Sequence, residues 1–90
     1  MLEYILEFPE QLAGKTPDEI ARMIGELPVG WQTETLRKGS KKGQGWVLRE
    51  YNLEGQPTGR MIRWHPGGGR HGPQPYWRVN TFNGKSDIIC

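Results

Sequence analysis

An α+β fold, with one N-terminal helix packed on a four- to five-stranded antiparallel sheet, is what these 90 residues specify. Three features carry that reading. A helix start is written out at Thr16-Pro17-Asp18-Glu19, the apolar period changes from helical to extended after Gly30, and glycine-rich or polar turns then recur every eight to fifteen residues. The length fits a single domain, 1–90, with a helical part over 1–30 and the sheet over 31–90. A chain this short buries only about 60–65% of the surface it exposes unfolded. Its core is therefore thin, and four Trp, three Tyr and two Phe must supply much of the area.

The elements follow in order. Leu2–Phe8 mixes apolar and acidic residues at short spacing and fits either a strand or a turn of helix before Pro9. Thr16 is placed as an N-cap, Pro17 at the first helical position and Glu19 to complete a capping box. Ile20, Ile24 and Leu27 then form one apolar stripe with Met23, which predicts a helix ending before Pro28 and lying over the sheet. Strands are predicted at Trp31–Arg37, Trp46–Asn52, Arg60–His65, Tyr76–Phe82 and Asp87–Cys90. Asn83-Gly84 is a two-residue hairpin signal, and the whole reads as an antiparallel meander.

The net charge of +2 conceals an asymmetry. Residues 1–30 hold six acids against Lys15 and Arg22, a balance of −4; residues 31–90 hold ten bases against Glu34, Glu50, Glu54 and Asp87, a balance of +6. A basic half of this kind points to an anionic partner, nucleic acid being the commonest, with a merely solvated surface as the bland alternative. One cysteine, Cys90, excludes an intrachain disulfide and a thiolate metal cluster. No segment has the roughly 20 apolar residues that span a bilayer, and residues 1–8 do not resemble a signal peptide, so no membrane partner is expected.

Strict alternation in Arg60–His65 puts Ile62 and Trp64 on one face and Met61, Arg63 and His65 on the other. In Tyr76–Phe82 it puts Trp77, Val79 and Thr81 on one face and Tyr76, Arg78, Asn80 and Phe82 on the other. With Ile62, Trp64, Trp77 and Val79 toward the helix, Arg63, His65 and Arg78 gather on the exposed face, and Trp46 and Leu48 in the core add Arg49 to it. RNA cleavage without a metal needs a base for the 2′-OH, an acid for the leaving 5′-oxygen and fixed positive charge for the phosphorane. Histidine serves near neutrality, and arginine offers a planar fork of donors. His65 and His71 are the two histidines of the chain and bracket a glycine-rich loop, Pro66–Pro75, that also holds Arg70. Such a loop can wrap a phosphate, and Tyr76 or Trp77 could stack on a base.

Each element has a plainer explanation: a histidine at a strand end is commonly a hydrogen-bonded surface residue, and Trp64 and Trp77 suit a core. Conjunction favours the site, since Arg60 to Arg78 holds four arginines and both histidines with no acid. No metal-ligand spacing, Walker motif or activated serine or cysteine nucleophile is present, so neither a metal nor another cofactor is expected. Glu50 is the one acid on a central strand that could act as a general base. Alternation turns it toward the core, which ranks it below His65.

Residues 59–79 (GRMIRWHPGGGRHGPQPYWRV), preceded by 12–28 (LAGKTPDEIARMIGELP), resemble C-terminal toxin domains of bacterial polymorphic and contact-dependent growth inhibition systems. These belong to the barnase, EndoU, colicin and RelE-like (BECR) ribonuclease group. The resemblance implies a microbial-ribonuclease-like sheet and metal-independent cutting of tRNA or rRNA. It also implies a cognate immunity protein, acidic by complementarity, and delivery into a target bacterial cytoplasm as part of a larger secreted effector. Its catalytic weight falls on His65 and Arg63, with His71, Arg70 and Arg78 in support. It also implies a Ser or Thr on the last long strand, for which Thr81 is the candidate, although alternation places Thr81 with Trp77 and Val79. Arg49, Tyr76, Trp77 and Thr81 are the expected substrate-binding residues. An endoribonuclease whose 66–75 loop closes over the scissile bond is thus the leading expectation; a noncatalytic RNA- or DNA-binding module and a protein-interaction domain are the alternatives.

Overall fold

The opening segment is helical. Leu2, Ile5 and Leu6 fall at helical spacing and bury together, while Glu3 and Glu7 stay outside, so α1 spans Leu2–Glu7 and a 3₁₀ turn follows at Pro9–Leu12. The computed structural model describes residues 1–69, 72–81 and 84–90. Helix α2, Pro17–Ile24, begins with the predicted capping box: the Glu19 N–H donates to Thr16 Oγ1 at 3.2 Å, and the Thr16 N–H donates to Glu19 Oε1 at 3.2 Å. It stops earlier than expected. Gly25, at φ +72°, caps it, so Leu27 reaches the core from the connection rather than from a third helical turn.

Five strands follow as an antiparallel meander in the order β1 to β5: Trp31–Glu34, Trp46–Tyr51, Pro57–His65, Tyr76–Asn80 and Ser86–Ile89. The fold is therefore α+β, short N-terminal helices on an open five-stranded antiparallel sheet. Strand β1 is shorter than its apolar pattern predicts, because the chain turns at 35–45 to bring Leu36 under Gly45. Strand β3 is longer: Asn52 Oδ1 accepts from the N–H groups of Glu54 and Gln56, which closes the preceding turn tightly enough for pairing to begin at Pro57. The hairpin predicted at Asn83-Gly84 falls partly outside the described residues.

Register fixes the two faces. The pairs Trp46–Trp64, Leu48–Ile62, Ile62–Val79 and Trp64–Trp77 put these side chains on the helix side. There they meet Leu2, Ile5, Leu6, Leu12 and Ile20 in one core. Covering the sheet is thus shared, and α1 contributes three of those five residues where α2 alone was expected. Trp77 is 2% exposed, and its indole N–H donates to the Lys15 carbonyl at 3.0 Å, tying β4 to the entry of α2. Among the described residues no helix is long and apolar enough to cross a membrane.

Candidate anion site on the open face of the sheet

The opposite face carries the pairs Val47–Arg63, Arg63–Arg78, Arg49–Met61, Met61–Asn80 and His65–Tyr76. Arg63, Arg78, Arg49 and His65 therefore lie where alternation placed them. Two guanidiniums directly opposite each other on adjacent strands repel, and a protein normally inserts a carboxylate between them. Among the described residues no ion pair joins either to a carboxylate. The Nε atoms of both Arg63 and Arg78 are buried without a hydrogen-bond partner, as is Asn80 Oδ1 two residues along β4. Burial first, then the charges of Arg78 and Arg49, pull the Arg63 guanidinium below its ordinary value, with Tyr76 acting in the opposite sense. Two orphaned donors in a half-buried cationic row leave the positive charge of this face uncompensated.

At one end of this row the His65 ring stacks on Tyr76, with centroids 5.1 Å apart and planes 13° from parallel. Nδ1 of His65 accepts the Gly67 N–H at 2.9 Å, which leaves the ring proton on Nε2. Gly67 sits at φ +89°, and a Cβ there would lie 2.4 Å from the Pro73 carbonyl oxygen, so only glycine lets the loop return against itself. A Cβ on Gly68 would lie 3.6 Å from Lys41 Nζ, which brings one cation of the 38–45 loop beside this end of the face.

At the other side stands Glu34, a carboxylate outside the expected set of site residues. It faces Val47 across β1 and β2 and accepts hydrogen bonds from Arg49 Nε at 3.1 Å, Arg37 Nη2 at 3.0 Å and the Tyr51 hydroxyl. Burial pushes its carboxyl up, but those hydrogen bonds and the two guanidinium charges outweigh burial and hold it below the usual carboxylate range. The same bond to Glu34, with burial, pushes the Tyr51 hydroxyl up. Between this cluster and Arg63 lies a hollow of about 370 Å³.

The remaining expectations divide. Trp77 has no ring face for a base, because its burial and its bond to Lys15 make it core. Tyr76 is 8% exposed and already stacked on His65, so it supports that ring rather than offering an open platform. Thr81 lies beyond the end of β4, where its N–H donates to the Lys85 carbonyl at 3.0 Å. That is the end of β4 away from His65. Arg70 and His71 lie outside the described residues. Arg60, counted in the basic stretch, faces the helices: it pairs with Glu50 at 2.7 Å and Glu3 at 3.0 Å, its guanidinium 5.4 Å from the centre of the Trp31 ring. Glu50 is spoken for by Arg60 and Thr58 on that same side, as alternation implied. Among the described residues no group of three or more His, Cys, Asp or Glu gathers to hold a metal. Compared with known proteins, the chain matches no family model, no curated protein and no solved structure.

Proposed function

We propose that this chain is a metal-independent endoribonuclease of the bacterial toxin kind, working from the open face of its sheet. The observation that carries the reading is the Arg63–Arg78 pair, unneutralised and with both Nε atoms orphaned, in the next row to a histidine at the end of the same strand. A phosphodiester held by the half-exposed guanidiniums offsets the repulsion between them. In-line attack of the ribose 2′-oxygen then forms a 2′,3′-cyclic phosphate as the bond to the 5′-oxygen breaks. The 2′-OH proton leaves to a base and the 5′-oxygen gains one. The guanidiniums offset the growing phosphorane charge, and His65 is the histidine among the described residues of this face suited to one of the transfers. Glu34, held ionised by three donors, is a poor proton acceptor and fixes Arg49 and Arg37 instead. The toxin context, a tRNA or rRNA target and an acidic immunity partner come from the resemblance over residues 59–79.

The test is cleavage of tRNA and rRNA in EDTA, with the ends analysed for 2′,3′-cyclic phosphate. Wild type should cut, and His65→Ala should lose on the order of 10²–10⁴ in rate. Intact RNA at high protein concentration, with binding retained, would overturn the reading. It would leave a noncatalytic RNA-binding module, which one feature favours: Glu34, the sole carboxylate on the described strand residues of this face, is already committed to three donors.

A further inference from the structure

The hollow beside Arg63 is more than a phosphate needs. Its floor is apolar, made by Leu36 and Met61, which are 5% and 6% exposed. Gly59 opens one side, since a Cβ there would meet nothing within 4 Å. The rim carries Arg37 and Arg49, which share the Glu34 carboxylate, together with Lys38 and Arg63, a surplus of positive charge. The wall carries the Asn80 amide, whose oxygen is buried and unpartnered. A phosphate alone would use the rim and leave floor and amide idle. A flat ring with polar edges lies on such a floor, and the half-exposed part of the Asn80 side chain that lines the hollow meets its edge.

Register also sets the spacing. Arg49 pairs with Met61, two residues along β3 from Arg63, so the hollow is displaced from the Arg63–Arg78 row by one strand repeat, roughly 6.6 Å. A sugar–phosphate unit bridges that step.

We propose that the hollow at Met61 is a nucleotide subsite. It takes the base and phosphate of the residue next to the phosphate held by Arg63 and Arg78, so the ligand is a single-stranded oligonucleotide with at least two consecutive phosphates. This rests on the reading of the Arg63–Arg78 pair as a phosphate site. The base lies on Met61 and Leu36 with an edge toward Asn80, and its phosphate meets Arg37, Lys38 and Arg49.

The test measures binding of 2′-O-methyl trinucleotides, which cannot be cleaved, and of 3′-mononucleotides of the four bases, at several salt concentrations. Wild type should hold a trinucleotide on the order of tenfold tighter than a mononucleotide, with a steeper salt dependence. The double variant Arg37→Gln/Lys38→Gln, changed at exposed positions, should weaken the trinucleotide alone and reduce its salt slope by about 0.7 for each phosphate no longer neutralised. Asn80→Ala should flatten the base preference. A trinucleotide no tighter than a mononucleotide, or a double variant that weakens both alike, overturns the subsite and leaves the arginine pair standing. If neither ligand binds, both readings fall.

Discussion

Arg63 and Arg78 face each other across β3 and β4 with no carboxylate between them, and each leaves its Nε buried and unpartnered. A pair like this costs stability. Arg63→Leu should therefore stabilise the fold by about 1 kcal/mol, read as a higher urea midpoint, while removing affinity for phosphate-bearing ligands. A variant that is both less stable and still able to bind would show that the pair is structural.

The wild-type protein should melt higher in pyrophosphate than in chloride of equal ionic strength. An anion that binds the folded chain alone stabilises it by an amount set by concentration over Kd, about 2.7 kcal/mol at a hundredfold excess. Arg63→Leu should show no such difference.

Glu34 makes a prediction about acid. Its folded carboxyl lies below the ordinary value, so its contribution is complete above the unfolded pKa and is lost as pH falls through the folded one. Glu34→Gln should cost about 1 kcal/mol near neutrality, and the gap to wild type should begin to narrow as pH falls below about 4. Urea titrations at a series of pH values measure this; a gap that stays constant into acid would contradict it.

Thr16→Ala should cost about 1 kcal/mol by releasing the Glu19 N–H, and Thr16→Ser should restore most of it. Chemical denaturation of the two variants separates a cap from a simple loss of side-chain area.

How much of this was legible depends on the range of the physics involved. The capping box is local, and four consecutive residues disclosed it. The division of Ile62 and Trp64 from Arg63 and His65 was legible because a strand alternates whatever lies beside it. Leu2–Phe8 satisfied both periods, and only burial of Leu2, Ile5 and Leu6 against the sheet decides for helix. Arg60 reads as part of a basic run when charge is summed along the chain rather than by face; one step of alternation from Met61 sends it to Glu50 and Glu3. Glu34 escaped notice because its meaning lies in pairing, where Arg49 of the next strand and Tyr51 beyond a bulge converge on it. Its outward position could have been read from the alternation after Trp31. The Asn80 vacancy had no sequence signal, since an unmet hydrogen bond is a property of surroundings.

Gly67 and His65 are bound to each other through chemistry as well as position. The Nδ1 lone pair that receives the Gly67 amide is the one that must carry a proton whenever Nε2 exchanges one with a substrate, in either direction. The two claims on that lone pair exclude each other. A proton on Nδ1 therefore costs the ring its bond to the Gly67 amide, so the protonation of His65 and the close approach of Gly67 to it are coupled.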